Sequence, residues 1–293
     1  MTTATPIDVR PNADPATNEH GPIPPEPFFR EAGTGPGVVA LHANASTSGQ
    51  WRGLMDHLAP TFRVLAPDLY GSGRSPEWAS ERVITLADEA AFIEPVMTRA
   101  GSPLVLVGHS YGAAVALIAA LSNAGRVRAL AIYEPTLFAV LNTDGVPSNA
   151  ADGIRSVLAD AGASLDAGDE NAAAERFIDY WMGEGSWAYI PEQRKAPIAA
   201  SVRNIRRWGH ALLTEATPLA AFQALDIPVL YMVGKRSPAS SRAVSQVLTN
   251  TFPRVEVVEF EDLGHMGPVT NPDRVNTVIA GFLESTEEER GND

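Results

Sequence analysis

A single serine stands between two glycines in the stretch LVLVGHSYGAAVALIAAL, residues 104–121. The apolar run before GHSYG (108–112) predicts a buried strand, and the alanine-rich run after it predicts a helix. A chain that turns this sharply from strand to helix holds the serine in a strained conformation, with its hydroxyl exposed at the helix N-terminus. The pattern indicates that Ser110 is a nucleophile, although a tight glycine-serine turn without chemistry would read the same way.

A serine nucleophile needs a neighbouring base, and imidazole has a pKa close to neutrality. The segment EDLGHMG places His265 directly after the last apolar strand of the chain. The other histidines fit the role less well by position; they are His20, His42, His57, His109 and His210. We therefore interpret His265 as the base that takes the proton of Ser110.

Strand-like and helix-like segments alternate along the chain, as is typical of an α/β fold with a parallel sheet covered on both faces. Apolar or β-branched runs predict strands over 37–43, 62–68, 103–109, 126–134, 228–235 and 254–262. Segments of helical length lie between most of them, including 86–100, 111–123, 239–251 and 271–284. The core is thus expected to comprise 28–136 and 219–285.

Residues 137–218 interrupt this alternation, because only helical patterns occur there. Sites in open α/β sheets lie beyond the carboxyl ends of the strands, so an insertion at this point would form a helical cap over the site. The first 27 residues hold seven prolines and are expected to form a disordered or extended arm, 1–27. Residues 286–293 are expected to form a charged tail.

Composition narrows the class of protein. The 293 residues are 45% hydrophobic and carry a net charge of −13, which argues against a nucleic-acid partner. The lack of cysteine excludes disulfides, thiolate metal sites and a cysteine nucleophile. Because no histidine and carboxylate cluster has metal-ligand spacing, we expect no metal and no cofactor. No membrane span or secretory signal is recognised, and a cytoplasmic location is expected.

Four motifs, in this order, resemble those of the α/β-hydrolase fold superfamily. They are LHANAS (41–46), APDLYGSGRS (66–75), GHSYG (108–112) and DLGHMGPVTNPDRV (262–275). The resemblance implies a mostly parallel central sheet with helices on both faces, an inserted cap, and a triad of serine, histidine and acid. It also places the histidine of the triad in the loop after the last strand, in agreement with His265.

The triad acid departs from the pattern of most members, which have an aspartate in a G-x-x-D-P-like turn. This chain reads GKRSP there (234–238), with Ser237 at the aspartate position. Either the triad is incomplete or the acid has moved to Glu134, at the end of strand 126–134, where haloalkane dehalogenases and some relatives carry theirs. Glu134 could instead cap its strand and pair with an arginine. Ser237 is expected to contribute little, and the remaining acids are less well placed; they are Asp68, Asp226 and Asp262.

Two backbone N–H groups usually hold the oxyanion of acyl transfer. One belongs to the residue after the nucleophile, here Tyr111. The resemblance assigns the other to Asn44, although the family usually reads His-Gly where this chain has His42-Ala43. HANAS followed by a tryptophan also resembles the dehalogenase pattern, but the dehalogenase nucleophile is an aspartate, so Ser110 favours ester chemistry.

The resemblance implies a carboxylesterase that cleaves a small or medium ester with an apolar moiety through an acyl-enzyme. Cofactor-free haloperoxidase or perhydrolase, lactonase and carbon–carbon bond hydrolase activities use the same triad, and a non-catalytic small-ligand receptor is the alternative of another class. An apolar pocket is expected to be lined by Trp181, Trp187, Tyr189, Trp208 and Met266, although a structural role in the cap core would also explain the tryptophans. The expected partner is a small molecule, and the sequence is compatible with a homodimer.

Overall fold

A seven-stranded sheet forms the centre of the protein, in a computed structural model that describes residues 25–292. The strand order is β1-β3-β2-β4-β5-β6-β7, and every neighbouring pair is parallel except β1 with β3. The strands are β1 (Phe29–Ala32), β2 (Gly37–Leu41), β3 (Arg63–Pro67), β4 (Leu104–His109), β5 (Val127–Tyr133), β6 (Val229–Gly234) and β7 (Val255–Phe260). The predicted arm 1–27 lies outside the described residues apart from 25–27.

The predicted α/β-hydrolase architecture is confirmed, and the six predicted strands correspond to β2 through β7. Strand β1 is not predicted from the sequence, since its four residues FREA carry no apolar alternation and lie at the antiparallel edge of the sheet. Strands β2, β4 and β6 are buried along their whole length, and only one residue of β5 is partly exposed. Because helices cover both faces of these strands, their residues are apolar throughout rather than alternating.

Twelve α-helices are found in the described part of the chain. They are α1 (Arg52–Leu58), α2 (Leu86–Phe92), α3 (Glu94–Ala100), α4 (Tyr111–Ser122), α5 (Asp152–Asp166), α6 (Glu170–Met182), α7 (Glu192–Val202), α8 (Ile205–Thr214), α9 (Leu219–Gln223), α10 (Ala239–Thr249), α11 (Gly267–Thr270) and α12 (Pro272–Asn292). The single helix predicted over 86–100 is two helices, because Pro95 in the first turn of α3 has no N–H to continue α2.

The end of the chain differs from the expectation of a separate charged tail. Helix α12 continues through most of 286–293 and ends at Asn292. Its run of glutamates favours helix, and Glu287 forms an ion pair with Arg128 at the start of β5. The segment is therefore an extension of the last helix that is attached to the sheet.

Two apolar cores hold the sheet between its helices. One lies on the face covered by α4 and the cap and includes Leu106, Leu117 and Ile132. The other lies on the face covered by α1 and α12 and includes Leu54 and Ile279. Helix α4 is buried over ten consecutive residues, 111–120, which explains why it is apolar on every side. This helix and β4 form the rigid support of Ser110.

The segment between β5 and α9 contains helices α5, α6, α7 and α8 and no strand. This is the segment in which the sequence predicts a helical cap. Helices α5 and α6 pack on each other, and α8 packs on α5 and on α4. None of the helices described is both long enough and apolar enough to cross a membrane.

Candidate active site

Ser110 occupies the turn between β4 and α4 in a strained conformation, with φ 56° and ψ −118°. A non-glycine residue keeps such angles only where its surroundings enforce them; here the Ser110 N–H donates to the carbonyl of Tyr133 at 3.0 Å. A Cβ on Gly112 would lie 2.4 Å from the carbonyl oxygen of Leu41, and one on Gly108 would meet the backbone of α4 at 2.5 Å. Both glycines of the motif are therefore required by the close approach of neighbouring backbone.

Three side chains form a continuous hydrogen-bonded chain at the carboxyl ends of the strands. Ser110 Oγ lies 2.9 Å from His265 Nε2, and His265 Nδ1 lies 2.7 Å from Glu134 Oε2. All three side chains are buried. In this arrangement the imidazole donates from Nδ1 to the carboxylate, and its Nε2 accepts the serine proton. The geometry is that of a nucleophile, a base and an acid that orients the base.

Glu134 receives hydrogen bonds on both carboxylate oxygens and is fully buried. Its Oε1 accepts from the Gly234 N–H at 2.7 Å and from Ser237 Oγ at 2.5 Å. Its Oε2 accepts from Ser241 Oγ at 2.7 Å in addition to His265. Within residues 25–288, none of the ion pairs found joins Glu134 to an arginine, so the arrangement differs from a strand cap paired with arginine.

The residue at the usual aspartate position has a role that the sequence reading did not assign. Ser237 does not replace the carboxylate; its hydroxyl donates to the carboxylate that Glu134 provides from the neighbouring strand. Two of the other acids considered are occupied elsewhere: Asp262 pairs with Arg274 at 2.8 Å, and Asp68 accepts from the Ser48 N–H at 2.6 Å.

The two residues predicted to hold an oxyanion, Tyr111 and Asn44, both lie at the site of Ser110. Tyr111 is the first residue of α4, so its N–H has no carbonyl partner inside the helix. In the loop after β2, the Ala43 N–H donates to Gln50 Oε1 at 3.1 Å, whereas the next residue, Asn44, lines the same cavity as Ser110. The imidazole of His42 is buried and accepts from the Leu69 N–H at 3.0 Å, which agrees with a structural role.

His109 and Gln50 connect the loops that carry these groups, and the sequence reading assigned neither of them a function. Gln50 Nε2 donates to His109 Nδ1 at 3.1 Å, and His109 Nε2 donates to the carbonyl of His265 at 2.8 Å. Burial holds the pKa of His109 well below its usual range, so the ring is neutral and has one donor and one acceptor nitrogen. Gln50 thus ties the loop of Asn44 to the loop of His265.

The indole of Trp181 stacks on the candidate base. Its ring centroid lies 3.9 Å from that of His265, with an angle of 29° between the planes. The contact joins helix α6 to the loop that carries His265.

A family model described as alpha/beta hydrolase fold matches residues 36–272. The chain belongs to the α/β-hydrolase fold family. The pimeloyl-[acyl-carrier protein] methyl ester esterase of Yersinia pseudotuberculosis is 26% identical over 253 residues, which are 84% of this chain and 93% of that protein. An α/β hydrolase from Sphaerobacter thermophilus superposes with a TM-score of 0.68 at 27% identity, over 88% of this chain and 96% of the other. A thermophilic esterase from Thermogutta terrifontis superposes with a TM-score of 0.71 at 23% identity, over 88% and 93%.

Helices of the segment 137–218 lie over Ser110, and a small cavity remains beside it. Trp181 and Trp208 line this cavity, as the sequence predicts. It is also lined by apolar residues that are not among the predicted ones. They include Phe138, Ile154, Phe177, Ile205 and Leu212. The spacing of Ile205, Trp208 and Leu212 along α8 is the signal that could have indicated this face, since residues three, four and seven apart share one side of a helix.

Three of the expected substrate contacts lie elsewhere in the hydrolase. Tyr189 is 89% exposed on a short turn between α6 and α7. Trp187 is buried within the cap, with Lys195 over its ring at 5.7 Å. Met266 lines a separate, open groove on the outer side of Trp181. Aromatic or apolar character alone did not separate cavity residues from cap core and cap surface.

A buried glutamate supports the Tyr111 side of this hydrolase site. Glu89 is 1% exposed, and it accepts from the Tyr111 hydroxyl and from the Tyr70 N–H, both at 3.2 Å. Desolvation by burial outweighs these hydrogen bonds and raises the pKa of Glu89 from 4.5 to about 8. At neutral pH the folded protein therefore holds a proton on Glu89 that the unfolded chain has already lost above about pH 4.5.

Glu89→Gln should flatten the pH dependence of the free energy of unfolding. Because the folded pKa is raised, the stability linked to Glu89 is fully present below 4.5 and is lost as the pH rises to about 8. Relative to the parent, the variant should gain stability over this range and keep the gain at higher pH. Urea unfolding between about pH 5 and pH 9 measures the difference.

The matched control is Glu77→Gln, at an exposed glutamate that pairs with Arg207 at 3.5 Å. Its pH dependence should follow that of the parent protein. Parallel curves for the parent protein and Glu89→Gln would contradict a proton held on Glu89 in the folded state.

Proposed function

We propose that this protein is a serine carboxylesterase that cleaves a small or medium ester with an apolar acyl moiety through an acyl-enzyme. The observation that carries the proposal is the hydrogen-bonded chain Ser110–His265–Glu134 beside a mostly apolar cavity. Ester hydrolysis needs these parts: a nucleophile, a base with a fixed tautomer, and amides directed at the reacting oxygen.

The proposed reaction begins when Ser110 Oγ bonds to the ester carbonyl carbon and its proton moves to His265 Nε2. The N–H groups of Tyr111 and Asn44 hold the oxyanion, and Glu134 stabilises the imidazolium through Nδ1. The bond to the alcohol oxygen then breaks, and His265 returns the proton to the leaving alcohol. A water molecule attacks the acyl-enzyme with His265 as base, and the carboxylic acid leaves as Ser110 regains its proton.

The relatives support ester chemistry, and the cavity beside Ser110 supports an acyl part of limited size. The Yersinia pseudotuberculosis relative is named for a methyl ester whose acid part is carried on an acyl-carrier protein, and the cavity is small and lined mainly by apolar side chains. Several cap arginines are engaged by acids of the cap itself: Arg176 by Asp160 at 2.9 Å and Arg203 by Glu170 at 2.6 Å. With a net charge of −13 in the chain, this favours a small substrate over a large acidic partner.

A series of p-nitrophenyl esters from acetate to dodecanoate tests the proposal. We expect a burst of p-nitrophenol followed by steady turnover, with kcat/KM highest for short and medium acyl chains and falling for the longest. The burst reports acyl-enzyme formation. Absence of turnover above the background of Ser110→Ala across the whole series would contradict the proposed function.

Ser237→Ala should lower kcat for the best ester about tenfold, because one charge-assisted hydrogen bond to Glu134 is lost. This result differs from the small effect that the sequence suggests, since the hydroxyl holds the acid rather than replacing it. Ser240→Ala is the matched control: Ser240 is a buried neighbour whose hydroxyl contacts the Tyr180 hydroxyl. Equal kcat values for the two variants would show that Ser237 does not help to hold Glu134 in turnover.

A further inference from the structure

Thr136 lies beside the nucleophile, where the chain leaves β5 and enters the cap. Its N–H donates to the carbonyl of Ser110 at 3.3 Å, which fixes the two residues next to each other. The residue is 1% exposed and forms part of the wall of the small cavity beside Ser110. Thr136 is thus one of the groups that a bound substrate meets first beyond the reacting carbonyl.

The hydroxyl of Thr136 is buried and has no hydrogen-bond partner among the described residues. A buried hydroxyl without a partner destabilises a protein, so an unpaired one in a native structure calls for a functional explanation. The cavity supplies that explanation, because a ligand in it would bring an oxygen or nitrogen to the hydroxyl. The other residues of the wall whose side chains carry a polar atom are Ser110, Asn44, Trp181 and Trp208.

The position of the base indicates which part of an ester occupies the cavity. The leaving alcohol oxygen has to lie at His265 Nε2, where it receives a proton, and His265 is not among the residues that line the cavity. Ser110 and Asn44 do line it. The acyl part, which bonds to Ser110, is therefore the part that extends past Thr136.

We propose that Thr136 Oγ1 recognises an oxygen on the acyl chain, one or two carbons from the scissile carbonyl. The preferred substrates are then esters of short 2- or 3-hydroxy or oxo acids whose remaining chain is apolar. This inference rests on the proposed esterase function and narrows its substrate class. The hydroxyl can donate to a carbonyl oxygen or exchange a hydrogen bond with a hydroxyl group, so both kinds of oxygen fit.

Matched esters test the inference. Ethyl butanoate is compared with ethyl 2-hydroxybutanoate and ethyl 3-hydroxybutanoate, with each enantiomer measured separately, and hydrolysis is monitored through the release of acid. In the parent enzyme at least one oxygen-bearing ester should have a kcat/KM about tenfold above that of the plain ester. Thr136→Val keeps the shape and removes the hydroxyl, so it should abolish that preference by lowering kcat/KM for the oxygen-bearing ester about tenfold more than kcat/KM for the plain ester. Thr136→Ser keeps a hydroxyl and should retain the preference.

A stability measurement separates recognition from a structural role. Because the hydroxyl has no partner in the free protein, Thr136→Val should unfold at the same temperature as the parent or a higher one. A clear fall in melting temperature, or failure to fold, would mean that the protein itself uses the hydroxyl and would overturn the inference.

The kinetic outcomes are equally distinct. If the parent enzyme shows no preference for any oxygen-bearing ester, the inference is overturned whatever the variants do. An equal loss on plain and substituted esters in Thr136→Val would place the hydroxyl on the reacting carbonyl and would also overturn it. Turnover of no ester at all would instead be a failure of the proposed function.

Discussion

Ser110→Ala should lower kcat for ester hydrolysis by about 10⁴–10⁶-fold. The substitution removes the atom that bonds to the acyl carbon, so no acyl-enzyme can form, and only binding and the oxyanion amides remain to promote attack by water. The fold should be retained, because the strained turn is imposed by the surrounding backbone and not by the hydroxyl. Pre-steady-state measurements with an excess of a p-nitrophenyl ester would show no burst.

The control for this variant is Ser156→Ala, which removes an exposed hydroxyl of α5 that bonds to Asp160. Its kcat should equal that of the parent enzyme. Circular dichroism and melting temperature establish that both variants are folded. A folded Ser110→Ala enzyme with a normal burst would show that the nucleophile lies elsewhere.

Glu134→Gln should lower kcat by about 10²–10⁴-fold. The amide has nearly the same shape, but it carries no charge to stabilise the imidazolium that forms as Ser110 attacks. If its NH₂ group faces His265, the ring must accept at Nδ1 and carry its proton on Nε2, which is the wrong tautomer for removing the serine proton. The loss should appear in kcat, with KM changed little, because the buried carboxylate does not touch the substrate.

Asp262→Asn is the matched control for the acid. Asp262 lies three residues from His265 in sequence, yet its carboxylate pairs with Arg274 at the surface. Its kcat should stay within about twofold of the parent value, as is usual for surface substitutions. If Asp262→Asn were the variant that lost activity, Glu134 would not be the acid of the triad.

Local sequence patterns predict the confirmed fold well, because such a pattern depends only on residues that are close together in the chain. The apolar runs that became β2, β4 and β6 are buried on both faces, so their burial is visible in composition alone. The four residues of β1 were missed because an edge strand with one antiparallel partner needs no apolar pattern. The extent of α12 was missed because a run of charged residues reads equally as a helix surface or as a tail.

Only part of the site could be predicted from the sequence. Residues that stand in a local motif could be predicted, whereas contacts between distant segments of the chain could not. Ser110 and His265 stand in motifs whose meaning is local, and Glu134 drew attention as a charge that closes an apolar strand. The contacts that hold these groups join distant segments: Ser237 meets Glu134 across 103 positions, and His109 meets His265 across 156. The residues next to Ser237, His109 or Gln50 in the chain do not indicate such partners. Only the folded structure could identify these contacts.

The placement of Glu134 directly after β5 has an evolutionary consequence for the segment 137–218. Ser110 and Glu134 both precede this segment, so recombination that exchanged it would leave both residues at the ends of their own paired strands. Trp181 would travel with the exchanged piece, and it lies on the ring of His265. An exchange of this segment would therefore replace the wall of the cavity and the ring that lies on His265 together, and selection would act on the two changes as one trait.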